Sequence, residues 1–241
     1  MVNYAHRGAS SYAPENTLPA FNLGIEMGAD GIETDIRRTK DGILVLFHDD
    51  TLERVAGVGK AVEELTYKEL MEYDLGIWKG EQYRGTRIVR LDDFLSEYGT
   101  RLGMHLALEI KGKGIALDAY DEIISHAGMT YEITSFSYES ILEIRKAHLE
   151  PKLGYLTSNF SHDEIKRLVD DGMNEICPRA DLITPSLTAY AHEKGLRVRA
   201  WGVKDMDLMI HASLSGVDGM TVNFPDLLTA YLRRNNEGKN I

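Results

Sequence analysis

Four short charged clusters carry the chemistry of this chain: His6-Arg7-Gly8, Glu33-Thr34-Asp35, His48-Asp49 and Glu109-Ile110-Lys111. Each lies at the end of a short apolar run that reads as a strand. Spacing of i, i+2 on a strand puts both side chains on one face. Glu33 and Asp35 are therefore neighbours, and so are Glu109 and Lys111. Two carboxylates side by side in a desolvated place repel each other. A divalent cation that takes oxygen ligands, Mg²⁺ or Ca²⁺, resolves the conflict, and Glu109 is placed to add a third carboxylate. The competing reading of Glu33 and Asp35 is a pair of surface acids; the matching position of Glu109 favours the metal. For Glu109 and Lys111 taken alone, a plain ion pair is the better reading, and a phosphate-binding lysine the chemical one.

His6 and His48 are the two histidines just after strands. Imidazoles exchange protons near neutral pH, so the two suit an acid–base pair. The other six (His105, His126, His148, His162, His192 and His211) sit on or beside helices or at a strand start and read as structural. Arg7 suits a bidentate grip on phosphate, with a salt bridge to Glu33 or Glu15 as the alternative. Thr17 reads as the N-cap of a first helix with Pro14 stiffening the approach, a job that accounts for Asn16 and Thr17 together, although a polar loop there would also form part of the site rim. Trp201 reads equally well as lining the mouth of a site or as core. Cys177 reads as a buried, inert thiol.

The elements that must hold these residues alternate. Candidate strands are Val2–Ala5, Gly31–Ile36, Leu44–Phe47, Leu106–Ile110, Glu132–Thr134, Lys152–Tyr155, Glu175–Cys177, Arg197–Trp201 and Gly219–Thr221. Amphipathic segments between them read as helices, including Leu18–Met27, Ile115–His126, Tyr138–His148 and Ser161–Asp171. Ser161 with Glu164 has capping-box spacing, and Pro185 and Pro225 suit first helical positions. Strand–helix alternation predicts a parallel sheet, and about eight such units favour a TIM (β/α)8 barrel over an open sheet. In a barrel the C-terminal strand ends converge on one site, which is where the charged clusters fall. The segment from about Thr51 to Arg90 breaks the rhythm. It is turn-rich, with one helix-like piece at Lys68–Tyr73, and reads as an inserted excursion on the loop face of a single domain spanning 1–241. The polar tail Arg234–Ile241 is expected to fray.

Composition narrows the classes. The chain has 241 residues, and 27 basic residues face 38 acidic ones for a net charge of −11. With no basic block, nucleic acid is not an expected partner. An acidic protein that handles an anion needs local cations or a metal in its site. No apolar run is long enough for a membrane span, the N-terminal residues lack the apolar stretch of a signal peptide, and Cys177 has no second cysteine to pair with. A cytoplasmic protein without stable membrane insertion is the expectation, with homo-oligomerisation left open.

Taken together, His6-Arg7-Gly8, Pro14-Glu15-Asn16-Thr17, Glu33-Thr34-Asp35, His48-Asp49, Thr51-Leu52-Glu53-Arg54 and Leu108-Glu109-Ile110-Lys111 resemble the glycerophosphodiester phosphodiesterase family. Ser135-Phe136, Ala200-Trp201 and Asn223-Phe224-Pro225 agree with it, so the resemblance runs from about Asn3 to Leu232. It implies a TIM barrel with a small insertion after the second strand. It also implies metal-dependent hydrolysis of a small-molecule glycerophosphodiester to glycerol 3-phosphate and an alcohol. By resemblance, His6 and His48 are the acid–base pair and Glu33, Asp35 and Glu109 the metal ligands. Arg7 and Lys111 are the phosphate contacts, and Phe136 and Trp201 the substrate-lining aromatics. The departures, Gly202 for a common Thr, Arg87-Ile88-Val89-Arg90 in place of a usual proline, and Asn223 for a common Asp, fall outside the expected catalytic and metal set. Three alternatives remain: a lysophospholipase D acting on lipid substrates; an enolase-like, metal-assisted proton abstraction from a carboxylate-bearing substrate, against which the histidine placement argues; and a non-catalytic glycerophosphodiester-binding protein, which would be expected to have lost one of these residues.

Overall fold

The computed structural model describes residues 1–237. The chain opens on β1 (Val2–His6), which leads through α1 (Leu18–Glu26) to β2 (Gly31–Arg38). It then turns back: β3 (Leu44–Leu46) pairs antiparallel with β2, the one-turn helices α2 (Glu53–Ala56) and α3 (Tyr67–Leu70) follow, and β4 (Val89–Arg90) returns beside β3. From there strand and helix alternate: α4 (Leu91–Tyr98), β5 (His105–Ile110), α5 (Ala116–Ile124), β6 (Thr130–Ser135), α6 (Tyr138–Ala147), β7 (Leu153–Thr157), α7 (His162–Asp170), β8 (Glu175–Pro178), α8 (Pro185–Glu193), β9 (Arg197–Val203), α9 (Met206–Leu214), β10 (Gly219–Val222) and α10 (Pro225–Glu237). The parallel strands run in the order β1, β10, β9, β8, β7, β6, β5, β2, and β2 pairs with β1 again. That last pairing closes an eight-stranded parallel barrel ringed by helices.

Alternation along the strands divides the residues. Ile32, Ile36, Leu106 and Leu108 join Phe21, Phe94, Leu95 and Tyr98 of α1 and α4 in the main core. The intervening positions, Glu33, Asp35, Ala107 and Glu109, therefore face the barrel interior. Register then fixes the neighbours. Parallel pairing sets His6 beside Glu33 and Asp35 beside Glu109. A slip of one residue would turn every one of these groups outward.

Several expectations need correction. Leu44–Phe47 is not a barrel strand; its short antiparallel pairing belongs to the excursion, so His48 arrives from beside the barrel instead of from a barrel strand end. The helical piece expected at Lys68–Tyr73 is Tyr67–Leu70, started earlier by Thr66, whose side chain accepts from Glu69 N while Glu69 Oε2 accepts from Thr66 N at 2.8 Å. Thr17 occupies the N-cap position of α1 without a side-chain cap; its hydroxyl donates to Pro14 O instead. Ser161 does accept from Glu164 N. The final helix continues through Glu237, past the start of the tail expected to fray at Arg234; residues 238–241 of that tail lie outside the described residues. A second apolar cluster, including Val45, Phe47, Leu52, Val55 and Val62, underlies the excursion. It anchors Phe47, and with it the approach to His48.

Candidate active site

The turn after β1 is held in an unusual shape. Arg7 and Asn16 both have φ of 56°, in the left-handed region that side-chain-bearing residues seldom occupy. Gly8 follows at φ 82°, and a Cβ there would meet the Ala20 carbonyl carbon at 2.4 Å. The turn is thus pressed onto α1. Its strained residues are held by specific bonds, the pattern expected where conformation serves a site. Arg7 N donates to Glu33 Oε2 at 3.1 Å. Asn16 Nδ2 donates to Asp35 Oδ2 at 2.9 Å, and Asn16 Oδ1 accepts from Thr34 at 2.7 Å.

Glu33, Asp35 and Glu109 come together as the strand spacing predicts. Each offers a carboxylate oxygen within 4.8 Å of the other two, and all three are buried. Two cations border them. Arg7 Nε lies 3.1 Å from Asp35 Oδ2, and Lys111 Nζ lies 2.8 Å from Glu109 Oε1 and 3.6 Å from Asp35 Oδ1. Lys111 thus partners Glu109 Oε1, whereas Asp35 Oδ1 is buried with no hydrogen-bond donor. Three carboxylates facing two cations leave a buried excess of negative charge. Burial, with the Asp35 and Glu109 charges, drives Glu33 well above the ordinary carboxylate range. Burial and the Asp35 charge push Glu109 up to about 7. Asp35 goes the other way: burial opposes ionisation, but Arg7 and Lys111 outweigh it and hold the group below its ordinary value. The unpartnered Asp35 oxygen, like charges and an all-oxygen donor set fit a hard divalent cation. A plain ion-pair cluster does not account for the unmatched charge.

Among the described residues, His6, Arg7, Glu33, His48, Glu109 and Lys111 line one pocket of about 230 Å³ with Phe136 and Trp201. Asp35, fully buried, lies beneath its surface. Phe136 and Trp201 meet edge to face at 4.9 Å, and Lys111 Nζ stands 5.4 Å from the Phe136 ring centre. Trp201 donates to Thr157 O at 3.2 Å, so its indole is fixed at the pocket wall. Buried Arg199, paired with Glu175 at 3.1 Å, also borders the pocket. Cys177, fully buried, donates to the same Glu175 oxygen at 3.2 Å, and burial pushes its thiol pKa well up, as an inert thiol requires.

The two histidines have different partners. His6 Nδ1 lies 2.5 Å from Asn223 Oδ1 and His48 Nδ1 lies 2.6 Å from Asp49 Oδ1. In both rings Nδ1–H donates and Nε2 is left as the acceptor. The His48 backbone is held separately: Arg37 Nε and Nη2 donate to its carbonyl at 3.1 and 2.9 Å. His6 is 28 % exposed at its open edge but enclosed elsewhere, and burial together with Arg7 lowers its pKa to about 4. Burial also lowers His48, with Asp35 opposing and Arg7 and Lys111 adding to the shift. Among the remaining histidines, His126 pairs with Asp92 at 3.1 Å, His192 with Asp218 at 2.9 Å, and His211 bonds Ile183 O at 2.8 Å. None of these lines the pocket.

Sequence reasoning missed three residues here. Asn16, read as part of a helix start whose polar loop borders the site, holds Asp35. Asn223, read as lying outside the catalytic set, is the Nδ1 partner of His6. Arg37 clamps the His48 carbonyl. Arg37 had a strand signal, since it shares a face of β2 with Glu33 and Asp35; Asn16 and Asn223 had only their place in the motifs that carry the family resemblance. Asn223 meets His6 across 217 positions, a pairing that only barrel closure creates.

Comparison with known proteins agrees on one family. The model of the glycerophosphoryl diester phosphodiesterase family matches residues 6–227. A glycerophosphodiester phosphodiesterase of Caldanaerobacter subterraneus subsp. tengcongensis is 31 % identical over 239 residues, covering 95 % of this chain and 97 % of that protein. Among solved structures, an Oleispira antarctica phosphodiesterase in complex with the product sn-glycerol-3-phosphate is similar, with TM-score 0.88, 26 % identity and 97 % of both chains covered. A glycerophosphodiester phosphodiesterase from Agrobacterium tumefaciens superposes with TM-score 0.81 at 27 % identity, over 95 % of this chain and 99 % of that one.

Proposed function

The chain belongs to the glycerophosphoryl diester phosphodiesterase family, and from that premise we propose that it hydrolyses small glycerophosphodiesters to glycerol 3-phosphate and an alcohol, using a divalent cation and two histidines. The observation that carries the metal-dependent reading is the buried cluster of Glu33, Asp35 and Glu109, charged beyond what Arg7 and Lys111 offset. These three carboxylates would hold Mg²⁺ or Ca²⁺. A cation there supplies Lewis-acid stabilisation of charge on the phosphoryl oxygens.

The chain's own residues do the rest. Arg7 and Lys111 present positive charge at the pocket surface, where they bind the phosphate and stabilise its growing charge in the transition state. Phe136 and Trp201 form an apolar wall against which a carbon skeleton packs. His6 and His48 are held neutral near pH 7, each with Nε2 as a proton acceptor. The arriving phosphate anion raises both imidazole pKa values again, so each can carry a proton in turn. His48 faces a carboxylate through Nδ1, whereas His6 faces a neutral amide. An imidazolium is therefore better supported at His48. This assigns proton abstraction from the nucleophile to His6 and protonation of the departing alkoxide to His48 in the first step.

The nucleophile is the substrate's own 2-hydroxyl. It is tethered beside phosphorus, and well-oriented intramolecular attack reaches effective molarities of about 10⁵ M or more. Its oxygen bonds to phosphorus as the P–O bond to the alcohol breaks, leaving a cyclic phosphate. Water then opens the ring with the histidines in exchanged roles. Among the described residues no serine, threonine or cysteine side chain is placed with a histidine as a protein nucleophile.

The histidine and carboxylate set is intact, which disfavours the non-catalytic reading. Among the described residues no helix is long and apolar enough to cross a membrane. A panel of soluble glycerophosphodiesters and lysolipids, assayed with and without metal, tests the proposal. Preference for lysolipids would transfer it to the lipid alternative.

A further inference from the structure

The excursion sends one side chain back to the site. Arg54, on α2, uses all three guanidinium nitrogens. Nε donates to Asp49 Oδ2 at 2.7 Å, while Nη1 and Nη2 donate to Glu15 Oε2 and Oε1 at 2.9 and 2.7 Å. Both carboxylates have a second engagement. Glu15 Oε1 also accepts from Arg7 Nη1 at 2.8 Å, and Asp49 Oδ1 meets His48 Nδ1 at 2.6 Å. The result is an unbroken line, Arg7–Glu15–Arg54–Asp49–His48, from a phosphate-facing cation to a pocket imidazole. Trp78 backs it, with its ring centre 5.4 Å from the Arg54 guanidinium carbon.

We propose that Arg54 is a positioning residue for His48: it fixes the Asp49 carboxylate so that His48 keeps its proton on Nδ1 and presents Nε2 to the pocket. The inference rests on His48 acting as acid or base. Asp49 alone could not hold this geometry. It is adjacent in sequence to His48, and a free carboxylate beside an imidazole has several rotamers. The Arg54 fork narrows the choice, because its Nε is aimed at Asp49 Oδ2 while both Nη groups are seated on Glu15. Lysine, a single point charge, cannot hold both carboxylates in fixed directions. Arg37 holds the His48 backbone from one side and Arg54, through Asp49, the ring from the other. The 51–90 segment thereby acquires a chemical task.

An ordinary surface ion-pair network would share these distances, because Arg54 is 42 % exposed. Such a network would stabilise the excursion by little and leave His48 unchanged. The test therefore reads His48. Arg54→Ala is expected to lower kcat by about 10–100-fold, the usual weight of a partner that orients a reacting ligand, with Arg54→Lys in between and millimolar guanidinium restoring part of the loss. Nitrogen NMR of His48 should show the Nδ1–H tautomer in the wild type and a mixture in Arg54→Ala. In a His48→Ala background, Arg54→Ala should cost nothing further, because residues that act as a unit are non-additive. Full additivity of the two substitutions, or an unchanged tautomer with unchanged kcat, overturns the proposal. Wild-type activity in His48→Ala alone would instead overturn the histidine assignment on which it rests.

Discussion

Replacing Glu109 by glutamine should make the metal-free protein more stable at alkaline pH while removing its response to metal. Glu109 is 5 % exposed and its folded pKa is about 7, against an ordinary 4.5 for the unfolded chain. Between those values the unfolded state has released a proton that the folded state still holds, so stability falls as pH rises. No penalty exists below pH about 4.5, and it is complete once pH passes about 7. A shift of roughly 2.5 units at 1.36 kcal/mol each gives about 3 kcal/mol. That shift already contains the attraction of Lys111, so the gain for Glu109→Gln is the full figure of about 3 kcal/mol. For a chain of this length that is roughly 6–12 °C in Tm. Thermal unfolding in EDTA at pH 8 measures it, and at pH 4 the difference should vanish. Millimolar Mg²⁺ or Ca²⁺ should raise the wild-type Tm by linkage and leave the variant unmoved, reversing their order. Were Glu109→Gln less stable than wild type at pH 8 in EDTA, the three carboxylates would be a balanced ion-pair cluster, and the charge argument for the metal would fail.

The histidines should be separable from their surroundings. His6→Ala and His48→Ala should each lower kcat by about 10²–10⁴, whereas His126→Ala and His192→Ala, at pairs outside the pocket, should stay within about twofold. Equal losses in all four at unchanged stability would refute the pairing. A substrate whose 2-hydroxyl is replaced by hydrogen or a methyl ether should be cleaved at least about 10³-fold more slowly, as forfeiting intramolecular attack requires. A kcat near the parent's would falsify the substrate-assisted step and leave water as nucleophile.

Strand periodicity made the central triad readable. Two-residue spacing put Glu33 with Asp35 and Glu109 with Lys111, and parallel register did the rest. The barrel itself followed from alternation, because each strand–helix unit is a local pattern. What stayed hidden depends on backbone shape or on distant closure. Asn16 looked like a helix start because its left-handed conformation, which aims its amide at Asp35, leaves no mark on a sequence. Thr17 followed the N-cap preference, yet the hydroxyl turned back to Pro14. The antiparallel β3–β4 pair is only three and two residues long, too short for any period to show. Asn223 and Arg54 are ordinary surface residue types whose importance comes only from what they touch.

The central claim is metal-dependent cleavage of a glycerophosphodiester on its alcohol side. Phosphorus NMR of the purified protein with glycerophosphoglycerol or glycerophosphocholine measures it directly, in EDTA and after adding back Mg²⁺ or Ca²⁺. No turnover should occur in EDTA, and added metal should yield glycerol 3-phosphate as the phosphorus-containing end product. Full turnover in metal-free protein, or accumulation of the headgroup phosphate with free glycerol when choline is the headgroup, would contradict the account.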